Sequence, residues 1–306
     1  MAKLDPVKIR YAMRRMEAGD DPEKVGGEVG VTGRRVRQLH AEYRRTGRDP
    51  VLGKPGRPGR AATDAERRQV ARYFERYRCS ATRLERIMDA DGATHIPHNA
   101  IHGVLVGMGA AERDARAKRQ ASYVRYERTW SNSMWHTDYK LLKDGRWLVS
   151  YMDDASRFIT GYGVFERATG ANAIAVLHDA IRRNGRPASI LSDRGVQFYT
   201  NEVENRRRGA SEFEKELVRL GIRHLLCRTN HPQTNGKLER FHGEIVRKMK
   251  WFRDIDELMD WWNNIKPHMS LGEDGLETPA RAFKRKMPEK GTVAVDAETG
   301  EEYDVF

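Results

Sequence analysis

Three acidic residues occupy positions from which a polypeptide can manage phosphoryl chemistry. Asp138 interrupts the strand-like run WHTDYKLL, Asp193 closes the short apolar run SILSD before Arg194-Gly195, and Glu239 lies one turn into a helix that follows the turn-forming Pro232-Gln233-Thr234-Asn235-Gly236. A hard cation such as Mg²⁺ needs oxygen ligands, and carboxylates from separate elements can supply them without a closed cage; Mn²⁺ takes similar ligands. Two such ions about 3.5–4 Å apart activate a water or a 3′-hydroxyl and stabilise the leaving oxygen of a phosphodiester. From spacing alone the plainer reading stays open, because acids at the ends of loops are commonly solvated or cap helices.

The elements that must carry these acids change period at Trp135. WHTDYKLL, RWLVSYMDD and RFITGYGVF are rich in β-branched and aromatic residues and are separated by Lys143-Asp144-Gly145 and Asp154-Ala155-Ser156, which predicts an antiparallel meander. Residues 169–184 read as a helix with Ala173, Ile174, Val176, Leu177, Ala180 and Ile181 on one face. A strand SILSD, a helix at 211–220, a strand HLLCRT at 224–229 and a helix at 236–250 complete a mixed α/β series. The fold class expected is α/β: a mixed five-stranded sheet with flanking helices, preceded by all-α domains. Asp193 then sits at the carboxyl end of the fourth strand, where such sheets present ligands.

Charge is unevenly placed along the chain. The 306 residues hold 56 Lys+Arg against 44 Asp+Glu. Residues 1–130 contain 28 basic and 17 acidic side chains, whereas residues 131–306 are nearly balanced at 28 and 27. An arginine-rich excess of this kind suits a phosphate-backbone binder, although it also suits a merely soluble surface. Apolar residues make up 39% of the chain, too many for a wholly disordered one, and no run reaches the roughly 18 residues of a membrane span. The start MAKLDPVKIRYAMRR has no apolar stretch of a secretion signal, and Cys79 and Cys227 alone cannot make a disulfide framework or a four-cysteine zinc site. A reducing cytosol and no membrane partner are the expectation.

Residues 6–46 predict three short helices. The first carries Val7, Ile9, Met13 and Met16; the second starts at Asp21-Pro22 and carries Val25 and Val29; Gly30 breaks the chain, and Thr32 caps a third with Val36, Leu39 and Tyr43. The other side of this third helix holds Arg34, Arg35, Arg37, Arg44 and Arg45, the layout of a helix-turn-helix whose second element enters the major groove. Residues 63–108 predict a further helical unit with Val70, Tyr73, Phe74, Tyr77, Leu84, Ile87, Met88, Ile101, Val104, Leu105 and Met108 inside. The domains expected are a helix-turn-helix at 1–52, a basic Gly/Pro linker at 53–61, a second helix-turn-helix or winged helix at 62–110, a basic connecting helix at 111–130, a catalytic core at 131–285 and an acidic tail at 286–306. Arg57 and Arg60 of the linker could lie in a minor groove, as flexible arms do, or serve only in a spacer.

Around the acids the chain reads WHTDYK, LSDRGVQF and HPQTNGKLERFHGEI, and later WWNNIKPHMSLGEDGLETPARAF. These blocks resemble the integrase core of the DDE transposases and retroviral-type integrases, most closely insertion-sequence transposases of the IS481/IS3 type, over roughly residues 130–285. The resemblance implies an RNase H-like fold and metal-dependent DNA strand cleavage and transfer. It assigns Asp138, Asp193 and Glu239 as the catalytic and metal-binding trio, Mg²⁺ as cofactor with Mn²⁺ able to substitute, and double-stranded DNA as partner, both element-end repeats and target. It also places Lys237, Arg240 and Arg247 along DNA. Acting on two ends implies at least a homodimer on DNA. A domesticated, non-catalytic DNA-binding regulator and an RNase H-like nuclease are the alternatives.

The chain departs from the pattern in two places. Forty-five residues separate Asp193 from Glu239, more than is common, with the surplus in YTNEVENRRRGASEF, and Lys266 stands where the closing motif usually has arginine. Four minor features complete the expectations. His224 and Cys227 should face opposite sides of their strand, so a zinc site with His231 is not expected. His136 and Thr137 either orient Asp138 or pack in the strand. Asp153 and Asp154 should form a turn, and His242 should approach a phosphate or be exposed.

Overall fold

The computed structural model describes residues 4–51, 61–111, 127–200, 209–227, 236–289, 293–295 and 302–304. The chain divides into two compact units, Met1–Arg60 and Ala61–Phe306. Three helices make the first: α1 (Pro6–Glu17), α2 (Pro22–Val29) and α3 (Gly33–Thr46). Asp5, Asp21 and Thr32 cap them by accepting from backbone N–H groups of the first turn, and Pro6 and Pro22 stand at first helical positions. Their core is Ile9, Ala12, Met13, Val25, Val29, Val36 and Leu39. Val7 is not part of it. Two residues before Ile9 it lies about 200° round the helix and is 67% exposed. Gly30 takes φ 80° to end α2. A Cβ on Gly26 would stand 2.7 Å from the Val31 carbonyl, so the α2–α3 turn closes directly over a glycine.

The second unit opens with α4 (Asp64–Tyr77), α5 (Ala81–Ala90) and α6 (His98–Gly107). Thr63 and Glu66 form a capping box at the start of α4. Met108, expected inside, follows the last turn of α6 and is 45% exposed. This helical module shares its interior with later parts of the chain. Trp251 meets Phe74 edge-on at 5.5 Å, the Trp261 indole N–H donates to the Tyr77 carbonyl, and Leu276 packs against the module's core.

A five-stranded sheet follows, built from β1 (Met134–Leu141), β2 (Trp147–Asp153), β3 (Ile159–Phe165), β4 (Ser189–Ser192) and β5 (Arg223–Leu226). Strand order is β3-β2-β1-β4-β5; β1 to β3 are an antiparallel meander, while β4 runs parallel to both β1 and β5. This is the RNase H-like α/β arrangement. Helices α7 (Gly170–Asn184) and α8 (Glu212–Arg219) cover one face, joined to it by Trp135, Tyr139, Val149, Tyr151, Leu177 and Phe213. Helices α9 (Gly236–Lys248) and α10 (Ile255–Asp260) cover the other through Leu148, Met152, Leu238, Phe241 and Ile245. Gly161 and Gly163 of β3 let α7 come close: a Cβ on Gly161 would lie 2.7 Å from the Ala180 methyl.

Two boundaries differ from expectation. β5 ends at Leu226, and α9 ends at Lys248 before a 3₁₀ turn, Met249–Trp251. A wide π turn, Trp261–Ile265, leads from α10 towards α11 (Pro279–Arg285), and the tail forms the antiparallel pair β6 (Val293–Val295) and β7 (Glu302–Asp304). Among the described residues no helix is long and apolar enough to cross a membrane.

Candidate active site

Alternation along β1 decides which side carries the chemistry. Trp135 and Tyr139 point to the α7 face, so His136 and Asp138 point to the α9 face. In register, Asp138 lies opposite Ser150 of β2. Its carboxylate accepts the Tyr139 N–H at 2.7 Å and keeps 21% of its side chain exposed. Asp193 directly follows β4, and its Oδ1 accepts the Gly195 N–H at 2.9 Å. Glu239 lies in the first turn of α9, exposed, next to the fully buried Leu238.

The three acids feel one another. Burial, with the negative charges of Asp193 and Glu239, pushes the Asp138 carboxyl up to about 7 against the help of the Tyr139 N–H. The half-buried Cys227 thiol is pushed up to about 11 by burial and the same three carboxylates. Among the described residues, no three His, Cys, Asp or Glu side chains are placed to hold one ion together as they stand. The carboxylates therefore converge electrostatically without closing. A buried carboxylate raised by two neighbouring acids fits a hard divalent cation, whose charge offsets the repulsion.

Behind this trio lies a buried polar layer that the sequence did not disclose. Asp153 and Asp154 do lie where β2 turns, but both are fully buried. Asp153 accepts from the Asn132 N–H and from the Ser156 N–H and hydroxyl. Asp154 accepts from His136 Nε2 at 2.6 Å, Lys237 Nζ at 2.5 Å and the Arg128 N–H at 2.7 Å. Burial would raise the Asp154 carboxyl, yet the hydrogen bond and charge of His136, with the charges of Lys237 and Arg157, hold it well below the usual carboxylate range. His136 thus serves Asp154 and not Asp138.

Two expectations are corrected on α9. Lys237, expected along DNA, turns inward to Asp154, because it lies on the flank of the helix that meets the β2–β3 turn. His242 is not exposed. It is 3% exposed, bonds Ser150 Oγ through Nε2 at 2.9 Å, and stands with Nδ1 3.8 Å from Asp138 Oδ2. Burial first, then Lys140, lowers it to about 3, so it is a neutral imidazole at physiological pH. Lys266 is also buried, 2.6 Å from Glu244 of α9 and 3.7 Å above the Trp262 ring. Its place in the closing motif was the signal that singled it out.

The remaining basic candidates separate by position. Arg34, Arg35 and Arg37 are exposed on α3, Arg37 paired with Glu23 at 3.1 Å. Arg240 and Arg247 are exposed on α9. Arg57 and Arg60, residues 231–235 of the turn before α9, Arg206–Arg208 of the long segment after Asp193 and most of the expected connecting helix lie outside the described residues. His224 bonds Ser192 Oγ at 2.8 Å, whereas Cys227 faces the carboxylates, so the two serve different neighbours.

Residues 128–232 match the family of integrase core domains. Over these residues the chain is similar to an integrase core. The matched stretch contains Asp138 and Asp193 and ends before Glu239. The transposase for transposon Tn552 of Staphylococcus aureus is 26% identical over 152 residues, 44% of this chain and 28% of that protein. The chain thus spans under a third of the length of this relative. Among solved structures, the simian T-cell lymphotropic virus intasome in complex with PP2A regulatory subunit B56 gamma aligns with a TM-score of 0.42 and 20% identity, covering 74% of this chain and 80% of that one. The HTLV-2 integrase catalytic core domain in complex with magnesium, in trimeric form, aligns at 0.39 and 18%, covering 50% and 97%. In this chain the acids come from β1, from the residue after β4 and from the first turn of α9, a helix that packs against β1.

Proposed function

We propose that this protein is a DNA transposase of the IS481/IS3 type that binds the repeats at the ends of its element and cuts and joins DNA strands at Asp138, Asp193 and Glu239. The observation that carries the reading is a strand carboxylate, Asp138, raised by burial and by two further acids from a strand end and a helix, in a stretch similar to an integrase core. Asp138, Asp193 and Glu239 would hold Mg²⁺, or Mn²⁺ in its place. When bound, such ions activate the attacking oxygen and stabilise the leaving one in an in-line displacement. The chain's own groups do the rest. The Tyr139 N–H orients one Asp138 oxygen, the Gly195 N–H orients one Asp193 oxygen, and buried Leu238 keeps Glu239 on the outer flank of α9.

DNA contacts fall to the exposed arginines. The α3 face with Arg34, Arg35 and Arg37 reads the element ends, and Arg240 and Arg247 hold phosphates beside the site; Arg57 and Arg60 of the 53–61 segment, outside the described residues, add minor-groove contacts. Handling two ends calls for a homo-oligomer of at least two chains, working on the nucleoid in the cytoplasm. The segments 1–52, 62–110 and 131–285 then act as end-reading, second helical and catalytic parts.

Strand transfer with duplexes taken from the DNA flanking the gene tests the assignment. Asp193→Asn and Glu239→Gln should each lower Mg²⁺-dependent transfer by at least roughly a thousandfold, about 4 kcal/mol, with DNA binding retained. Intact transfer in either variant would remove that residue from the site. Binding by the parent without any cleavage or transfer would identify a regulator instead.

A further inference from the structure

Asp154 touches the two elements that carry Asp138 and Glu239, each at the residue two positions before the acid. His136 precedes Asp138 on β1 and lies on the same face of the strand, since side chains two apart share a side. Lys237 precedes Glu239 on α9. Leu238, between them, is fully buried, so Lys237 and Glu239 flank it about 100° to either side. We propose that Asp154 is a positioning residue: one buried carboxylate that sets the register of the strand bearing Asp138 and the rotation of the helix bearing Glu239, and so fixes the distance across the candidate metal site.

Several observations support a shared anchor over two unrelated contacts. Asp154 is itself held in place, because its backbone N–H donates to the Met134 carbonyl at 2.9 Å and extends the β1–β2 ladder by one bond. Its Oδ1 takes both His136 and Lys237, at 2.6 and 2.5 Å, while Oδ2 takes the Arg128 N–H. His136 Nδ1 is buried with no hydrogen-bond partner among the described residues, so Asp154 is the one polar group that orients this ring. The contact of Leu238 with the core is apolar and tolerates rotation of the helix, whereas a charge-assisted bond is directional. Charged groups facing Asp154 come from every packed element: His136 from β1, Lys237 from α9 and Arg157 from the turn after β2.

The inference rests on the proposed role of Asp138, Asp193 and Glu239, and its test separates the two. The probe is Mn²⁺ binding by the full chain, followed by electron paramagnetic resonance, with a thermal melt of each variant. Lys237→Met should weaken Mn²⁺ binding roughly tenfold in protein that still melts cooperatively, as removal of groups that orient metal ligands does. Lys237→Arg, which keeps the charge, should restore most of that loss. Asp154→Asn should weaken binding similarly, and the double variant Asp154→Asn with Lys237→Met should lose little more than either alone. A merely structural contact would lower the melting temperature and leave Mn²⁺ affinity unchanged. That result in Lys237→Met, with binding abolished in Asp193→Asn, would overturn the anchor alone. Undiminished Mn²⁺ binding in Asp193→Asn would overturn the carboxylate site and the anchor with it.

Discussion

The two faces of the central sheet solve the same packing problem with different chemistry. Towards α7 and α8 the interior is apolar and aromatic, from Trp135 and Tyr151 to Leu177 and Phe213. Towards α9 the apolar residues Leu148, Met152, Phe241 and Ile245 are interleaved with Ser150, His136, His242 and Asp154, all buried. Burying a polar group is costly unless it is bonded, and on this face bonded groups line up behind the acids. One face supplies stability; the other gives up some stability to hold side chains at fixed angles.

That contrast can be broken from either side. On the apolar face, Leu177→Ala should cost about 3 kcal/mol in a chemical denaturation series, while strand transfer per folded molecule stays close to the parent's. A larger loss of transfer than of stability would mean that the apolar face also positions the acids.

On the polar face, Asp138 should oppose folding when no cation is bound. Its folded carboxyl titrates near 7 against an ordinary 3.8, so between those values the folded state holds a proton that the unfolded state releases. Stability from this group is present below about pH 4, falls as pH rises towards 7, and stays lost above. Asp138→Asn should therefore stabilise the metal-free protein by about 2 kcal/mol at pH 8 and by almost nothing at pH 4, a figure reduced because 21% of the side chain meets water. Equal effects at both pH values would show that burial and the neighbouring acids do not raise this carboxyl.

The smallest effect belongs to Ser150. Ser150→Ala leaves His242 Nε2 without its partner and should cost about 1 kcal/mol, measured by thermal unfolding. A gain in stability would mean that the buried imidazole has another donor.

The same contrast explains what could be read from the sequence. Strands, meander, the α7 stripe and the placement of Asp138 within a strand, Asp193 at a strand end and Glu239 in the first turn of a helix follow from local periodicity, which reports on one element at a time. The buried polar layer does not. Asp154 and Lys237 are 83 positions apart, His242 and Ser150 are 92 apart, and neither pair leaves a periodic trace. A lysine beside an exposed glutamate, as Lys237 is beside Glu239, looks exposed until the flank of the helix is known. Val7 was read as core because its type matched, though its angle on the helix did not.

The joint between the α4–α6 module and the sheet is a weld. A chain that exchanged residues 62–110 for some other helical module would bare Trp251, strip the Trp261 indole of its carbonyl acceptor and leave Leu276 without a lodging. Inheritance can therefore shuffle this segment only together with the surface on which it rests, so the two must diversify as a single heritable block.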